Sequence, residues 1–244
     1  MSKHRFRNEA ARGATQDLAP TAAHMEDSRW SRIAANVKTI AGAVLLALAI
    51  RTMLFEAFEI EGPSMEPTLL NGDRVVVAKY VYGLFLPLRE EAEVTWGAPD
   101  LGDVVIIKSP ADGVDIVKRV IGLPGDVIEM RDEVVHRNGK PIETRELGSC
   151  KVGRGALQAH CRWRDNELNG RHFTTSSAGH IFDSTRMTVP REHVFVLGDH
   201  RDSSNDSRAI GPIPVNRIKG KALAIYWSSG DDGLRTARMF NSVR

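Results

Sequence analysis

From residue 74 onward the chain carries short runs of β-branched and apolar residues, each broken by glycine, proline or aspartate. The runs are RVVVAK at 74, DVVIIK at 103, DIVKRVIG at 115, DVIEM at 126, HVFVLGD at 193 and KALAIYW at 221. Such runs are typical of strands, and helical periodicity is nearly absent after Phe58. We therefore predict a mainly β fold with mostly antiparallel strands, in which Asn138 and Gly139 form a tight hairpin turn.

Changes in composition along the chain predict its domain organisation. Residues 131–190 lose the long apolar runs and gain Arg, His and Ser, which predicts a smaller inserted β subdomain. The insertion would interrupt a main β domain made of residues 59–130 and 191–230. Residues 1–32 are polar and lack hydrophobic periodicity, which predicts a disordered tail, and residues 231–244 are assigned to a C-terminal tail.

The most apolar segment, TIAGAVLLALAI at 39–50, predicts a single transmembrane anchor over residues 33–58. Seven Lys and Arg precede Thr39 against four acids, and no Lys or Arg occurs between Thr52 and Asp73. The positive-inside rule then places the N-terminus in the cytoplasm and the rest of the chain outside.

Two alternatives for this segment stay open at the level of sequence. A cleaved signal peptide could end at ALA, residues 47–49, although its charged leader would be unusually long. A buried amphipathic helix of a soluble protein is the other, and the scarcity of polar residues from 39 to 50 argues against it.

The net charge of +2 over 244 residues argues against a nucleic-acid binder driven by bulk electrostatics. An external location also makes a disulfide between Cys150 and Cys161 plausible. His160, His172 and His180 lie nearby, but their spacing matches no compact zinc pattern, so we predict neither a metal nor another cofactor.

Ser64, in GPSMEPTL at 62–69, is a candidate nucleophile. Serines beside Gly and Pro are usually turn residues, but Pro63 and Pro67 would stiffen this loop and present the hydroxyl with little mobility. A serine nucleophile needs a base. His200 in GDHRD is the best histidine, and a lysine whose pKa is lowered by burial is the alternative.

Lys118 is the lysine best suited to that role. Lys79 and Lys108 follow strand runs and would reach water easily, whereas Lys118 lies inside DIVKRVIG. Strand alternation gives Lys118 the apolar neighbours Ile116 and Val120 on its own face, an environment that favours the neutral amine.

The third unusual stretch is VFVLGDHRDSSNDSR, residues 194–208, where an apolar strand runs into three Asp, two Arg and three Ser. The oxygen spacing does not fit an EF-hand calcium loop. We expect most of these charges to pair with one another and stiffen a loop, leaving a serine hydroxyl free to orient a neighbouring group.

Taken in order, these segments resemble bacterial type I signal peptidases (leader peptidases), membrane-anchored serine endopeptidases with a Ser/Lys dyad. The matching segments are RTMLFEAFEI, GPSMEPTLLNGDRVVVAKYVYG, GDVVIIKSP, DIVKRVIGLPGDVIEM, NGKPI and GDHRDSSNDSR. They cover most of residues 40–142 and 194–227. The resemblance implies a β-rich catalytic domain with an inserted second β domain, anchored in the bacterial inner membrane with its active site on the periplasmic side.

The resemblance also implies roles for individual residues and a substrate. Ser64 would be the nucleophile, Lys118 the general base, Ser204 a serine that orients the lysine, and Asp206 and Arg208 a pair that braces the site. Small side chains of the substrate would enter shallow pockets lined by Ile60, Met65, Leu69, Ile116 and Val117. The substrate would be an exported preprotein cut after an Ala-x-Ala-like site, which makes preproteins and membrane lipid the expected partners.

The sequence departs from the family pattern at the oxyanion hole. Gly62 stands where some members have a serine whose hydroxyl supplies a second donor. His200 and Ser203 replace asparagines that are common in the family. A conjugation-type processing peptidase with the same dyad, or a catalytically silent tethered domain that binds exported proteins, are the alternative functions.

Overall fold

The computed structural model describes residues 22–85, 89–152, 159–179, 184–231 and 233–244. It begins with the helix α1 (Ala22–Leu54), which starts inside the predicted tail; the remainder of that tail, residues 1–21, lies outside the described residues. Over the described part of the chain, no helix is both long enough and apolar enough to cross a membrane. The chain divides into two units, one ending at Leu48 and one running from Ala49 to Arg244.

Strands dominate the second unit, which confirms the prediction of a mainly β protein. The described strands are β1 (Phe55–Glu59), β2 (Asp73–Ala78), β3 (Gly83–Leu84), β4 (Val94–Thr95), β5 (Val104–Lys108), β6 (Asp115–Gly122), β7 (Val127–Arg131), β8 (Val134–Arg137), β9 (Lys140–Pro141), β10 (Glu143–Val152), β11 (Ala159–Leu168), β12 (Arg171–Ser177), β13 (Ser184–Thr188), β14 (His193–Leu197), β15 (Ile213–Pro214), β16 (Ile218–Gly230) and β17 (Gly233–Leu234). A short helix, α2 (Ser207–Ile210), follows β14.

The large sheet has the strand order β1-β2-β16-β5-β6-β14-β15, and β17 pairs with β16. Neighbouring strands in this order run antiparallel. Each apolar run that the sequence assigned to a strand forms one, and β6 spans the whole of DIVKRVIG. Strand β6 lies between β5 and β14, so its backbone pairs with a neighbouring strand on each edge.

The hairpin predicted at Asn138 and Gly139 joins β8 to β9. Both residues have positive φ, 55° and 79°, and Arg137 pairs with Lys140 across the turn. These are the backbone angles of a type I′ turn, which matches the right-handed twist of the flanking strands.

The described part of residues 131–190 forms sheets that are separate from the large sheet. Strands β10-β11-β12 make one sheet, and β13-β7-β8-β9 make another, which begins at Val127 rather than at the predicted boundary. However, this segment does not separate as a compact unit, because it shares a hydrophobic cluster with the large sheet. In that cluster Phe173 and Met130 pack with Ile121 and Leu197.

The C-terminal segment differs from the tail expected for residues 231–244. Arg238 pairs with the fully buried Asp73 at 2.6 Å between Nη2 and Oδ2. Val243 donates its N–H to the carbonyl of Leu223 at 2.8 Å and packs against a buried cluster. The segment is therefore held by an ion pair to β2 and by backbone hydrogen bonds to β16.

Candidate active site

Ser64 lies in the loop that joins β1 to β2, residues 60–72. The base of this loop is closed because the N–H of Ile60 donates to the carbonyl of Asp73 at 2.8 Å. Directly after Ser64, the N–H of Leu69 donates to the carbonyl of Met65 at 2.9 Å, and both side chains are buried. The half-buried Ser64 thus stands in a loop whose ends are both anchored.

Lys118, on β6, brings its amine to the hydroxyl of Ser64. The distance from Nζ to Ser64 Oγ is 2.9 Å, and Nζ also donates to the carbonyl of Val117 at 2.8 Å. The two residues are 54 positions apart in sequence and only 3% of Lys118 is exposed. A lysine amine within hydrogen-bond reach of a serine hydroxyl can accept its proton if the amine is neutral.

Burial lowers the pKa of Lys118 from 10.5 to about 8. The cause is desolvation, which disfavours the charged ammonium, and the negative charges of Asp206 and Asp199 oppose the shift. A pKa near 8 leaves a useful fraction of the amine neutral at neutral pH.

The loop after β14 presses closely against Ser64. His200 donates its backbone N–H to the carbonyl of Ser64 at 3.1 Å, and Gly198 donates its own to Asp206 Oδ2 at 3.0 Å. A Cβ at position 198 would lie 2.2 Å from Ser204 Oγ and 2.5 Å from the carbonyl oxygen of Ser64. Only glycine allows this approach.

Asp206 and Arg208, in the same segment after β14, form a bidentate ion pair. Arg208 Nε and Nη2 each donate to one carboxylate oxygen of Asp206 at 2.8 Å, and Asp206 is fully buried. Arg208 Nη2 also donates to the carbonyl of Arg201 at 2.6 Å. These contacts hold both ends of the segment 201–208 together.

Ser204 and His200 have buried polar atoms near this centre. The Oγ of Ser204 and the Nδ1 of His200 have no hydrogen-bond partner among the described residues. No hydrogen bond joins Ser204 to Lys118, so the orienting role of Ser204 stays a prediction. Of the two candidate bases, Lys118 is the one whose side chain meets the Ser64 hydroxyl.

A second buried ion pair lies beside the dyad. Arg119 Nε and Nη2 donate to Asp199 Oδ1 and Oδ2 at 2.8 and 2.6 Å, and Arg119 Nη1 donates to the carbonyl of Gly102 at 2.9 Å. Thr68 donates to Asp199 Oδ2 at 2.5 Å, and the guanidinium of Arg119 stacks on the ring of Phe173 at 4.3 Å. The pair links β6, the Ser64 loop and the loop after β14.

Sequence reasoning missed Arg119, Asp199 and the close approach at Gly198. A signal for Arg119 was present, because it alternates with Val117 and Ile121 on one face of an apolar strand and therefore needed a buried partner. No comparable signal indicated Gly198, whose importance depends on which atoms lie opposite it.

The backbone N–H groups beside Ser64 differ in what they can donate. Among the described residues, none accepts a hydrogen bond from the N–H of Ser64, and Pro63 has no N–H to donate. Gly62 has a φ of 81° and donates its N–H to Asn71 Oδ1 at 3.1 Å. A Cβ at Gly62 would meet no atom within 4 Å, so the space that a serine side chain would occupy is open.

The residues proposed to line the substrate pockets fall into two groups. Ile60, Met65 and Leu69 are 3%, 1% and 0% exposed and form part of a buried cluster. In this structure they act as core residues, since a substrate could touch them only if the surrounding side chains moved. Ile116 and Val117 are half-buried and remain accessible.

Cys150 and Cys161 lie opposite each other on β10 and β11 and form a disulfide. His172 Nδ1 lies 3.4 Å from Asp165 Oδ2, and its Nε2 lies 3.6 Å from Glu167 Oε2. His160 is exposed. His180 lies outside the described residues.

Comparison of the sequence with known proteins identifies one family. The model of the family described as signal peptidase, peptidase S26, matches residues 33–227. A signal peptidase I of Pseudomonas aeruginosa is 30% identical over 220 residues, which cover 84% of this chain and 76% of that protein. One from Rickettsia typhi is 34% identical over 206 residues, covering 76% of this chain and 77% of its own. A crystal structure of a signal peptidase I from Enterococcus faecalis matches 50% of this chain and 95% of that chain at 26% identity, with a TM-score of 0.32.

Proposed function

We propose that this chain, which belongs to the signal peptidase family (peptidase S26) and is a serine endopeptidase, uses Ser64 and Lys118 to remove N-terminal signal peptides from exported preproteins. The observation that carries the proposal is the 2.9 Å contact between Lys118 Nζ and Ser64 Oγ. The lowered pKa of Lys118 supplies the neutral amine that the chemistry needs.

The reaction would proceed through an acyl-enzyme. Neutral Lys118 accepts the proton of Ser64 Oγ as that oxygen attacks the scissile carbonyl carbon, and the N–H of Ser64 stabilises the oxyanion. Lys118 then gives the proton to the nitrogen of the departing mature protein as the peptide bond breaks. A water molecule, deprotonated by Lys118, releases the signal peptide as a carboxylic acid and restores the Ser64 hydroxyl.

Three further residues would keep the dyad in place. Asp206 and Arg208 hold the loop that donates to the carbonyl of Ser64, and Asp206 also stabilises the charged form of Lys118. Ser204 would orient the amine, and its buried hydroxyl without a protein partner is the observation that favours such a role. A polar group left unpaired in a buried position is costly unless function uses it.

The proposed specificity is for small side chains in an Ala-x-Ala-like pattern. Ile116 and Val117 immediately precede Lys118 on β6, so a peptide lying along this strand would place its side chains against them. Both side chains are apolar and half-buried, which suits contact with small uncharged residues of the substrate.

Anchoring to the bacterial inner membrane is part of the proposal. Its support is the apolar run at 39–50, together with exposed side chains on α1 such as Ile40, Leu45 and Leu46, which are 63%, 68% and 63% exposed. An anchor would present the site to preproteins that emerge on the periplasmic side, with lipid as the second partner.

Cleavage of a purified preprotein by the full-length protein in liposomes tests the proposal. We expect Ser64→Ala and Lys118→Met to lose at least about 1,000-fold in kcat, since each removes a member of the dyad. Lys140→Met, an exposed lysine on β9, is the control and should keep full activity. Full activity in both dyad variants would overturn the assignment.

A panel of unrelated preproteins separates a general signal peptidase from a processing peptidase with narrow substrates.

A further inference from the structure

Strand β12, in the segment predicted as an insertion, touches both loops of the proposed active site through one residue. Ser176 donates its hydroxyl to the carbonyl of Glu66 at 3.3 Å, two residues beyond Ser64. Its backbone N–H donates to the carbonyl of Asp199 at 2.9 Å, directly before His200. Ser176 is 1% exposed, so water competes little for either bond.

These contacts complete a ring of three hydrogen bonds around the nucleophile. His200 donates to the carbonyl of Ser64, Asp199 accepts from Ser176, and Ser176 donates to the carbonyl of Glu66. Ser64 is thus held from the loop after β14 on one side and from β12 on the other. The hydroxyl of Ser176 is the one side-chain group in the ring, since the other participants are backbone atoms.

Strand β12 is itself firmly held. Phe173 lies under the guanidinium of Arg119, and Arg171 pairs with the buried Asp103 at 2.5 Å. The backbone of β12 also forms a parallel bridge between Ser176 and His200. A hydroxyl on a strand held in this way can define the position of the loop that contacts it.

We propose that Ser176 is a positioning residue, which fixes the Ser64 loop so that Ser64 Oγ stays within reach of Lys118 Nζ. The inference rests on the proposed function, because it assigns Ser176 a role in that reaction. The hydroxyl of Ser176 bonds to the backbone of Glu66 and not to the side chain of Ser64 or Lys118, so its loss should affect turnover rather than substrate binding.

Preprotein cleavage by three single variants, Ser176→Ala, Ser176→Thr and Ser176→Val, tests this role. Thr keeps the hydroxyl and Val removes it at the same side-chain size, so their comparison separates the hydrogen bond from packing. We expect Ser176→Ala and Ser176→Val to lower kcat by between about twofold and tenfold, with KM unchanged. This loss corresponds to the net free energy of one neutral hydrogen bond. Thr should restore kcat toward the wild-type value. The pH midpoint of activity should not move, because the environment of Lys118 is intact.

Ser177→Ala is the matched control. Ser177 is 2% exposed on the same strand, but its hydroxyl accepts from the N–H of Gly179, outside the ring. Hydrogen exchange at the amide of His200 gives a readout independent of activity, and protection should fall in Ser176→Ala but not in Ser177→Ala. Equal kcat and equal protection in the two alanine variants would overturn the role of Ser176 while wild-type cleavage still supported the dyad. Absence of cleavage by the wild-type protein would instead refute the proposed function, and with it the catalytic meaning of the ring.

Discussion

Arg119 and Asp199 form a bidentate ion pair in which each side chain is only 1% exposed. Each partner is the sequence neighbour of a residue at the site, since Arg119 follows Lys118 on β6 and Asp199 precedes His200. The pair therefore fixes the distance between the strand that carries Lys118 and the loop whose backbone contacts Ser64. Thr68, which bonds to Asp199, extends the same connection to the Ser64 loop.

We expect Asp199→Asn to destabilise the fold by about 3 to 5 kcal/mol, because Arg119 would keep a buried charge without its counter-ion. Urea unfolding measures this loss. The control is Asp165→Asn, whose partner Arg145 is 76% exposed, so its loss should cost less than about 1 kcal/mol. Equal losses in the two variants would show that the buried pair contributes no more than a surface pair.

Most of the large sheet could be predicted from sequence because its strands are buried and therefore apolar. The run DIVKRVIG became β6 without a shift, and the turn at Asn138 and Gly139 formed where two residues that tolerate positive φ coincide. Strands β10 and β11 could not be predicted in this way. Their sequences, ETRELGSCKV and AHCRWRDNEL, carry many charges and no regular alternation, so tertiary pairing rather than local pattern makes them strands.

The contact between Ser64 and Lys118 could be predicted only in part. Alternation placed Lys118 beside Ile116 and Val120 on one apolar face, but in the structure both faces of β6 are buried from Lys118 onward. Desolvation of the lysine thus comes from burial that the alternation pattern does not show, and the Ser64 hydroxyl lies 2.9 Å from its amine. Contacts such as Ser176 to Glu66 join residues far apart in sequence and leave no pattern in the sequence itself.

Activity should rise with pH through a midpoint of about 8, the pKa of buried Lys118. Below that pH the amine is mostly protonated and cannot accept the Ser64 proton, so kcat/KM should fall about tenfold for each unit. A preprotein without ionisable groups beside the cleavage site isolates the titration of the enzyme. A flat profile from pH 5 to 9 would contradict a lysine base.

The same lowered pKa makes Lys118 a source of instability at neutral pH. Its pKa is about 8 when folded and 10.5 as the reference, so the unfolded chain binds the proton more tightly. Above pH 10.5 this difference in proton binding does not reduce the stability of the fold. As the pH falls the loss of stability grows, and below about pH 8 it is complete, on the order of 3 kcal/mol.

Lys118→Met should therefore raise the free energy of unfolding at pH 7, and the gain should shrink as the pH rises toward 10.5. Urea unfolding of wild type and variant at pH 7 and pH 10 measures the difference. Lys140→Met, at an exposed position, should show no such dependence. An increase in the free energy of unfolding that is the same at both pH values would show that better packing, and not removal of a buried charge, stabilises the variant.

Gly198→Ala should inactivate the enzyme without unfolding it. The new methyl group would lie 2.5 Å from the carbonyl oxygen of Ser64 and 2.2 Å from Ser204 Oγ, so the nucleophile loop must shift. A displacement of about 1 Å at a reacting group costs about 100-fold in rate. Gly125→Ala is the control, because its φ of 88° is strained for alanine but no atom lies within 4 Å of the added methyl. Near-normal cleavage by Gly198→Ala would show that the loop tolerates movement at this point.

Loss of the disulfide should weaken the fold while leaving catalysis intact. Cys150 and Cys161 close a loop with a sequence separation of 11 on adjacent strands, and a cross-link of that size stabilises a protein by about 3 kcal/mol. The double variant Cys150→Ala/Cys161→Ala should therefore unfold at lower urea, and wild type in reducing agent should match it. Cleavage rates measured well below the unfolding transition should be equal, since β12 separates this pair from the Ser64 loop. A reductant effect on the double variant itself would show that something other than this bond responds to reduction.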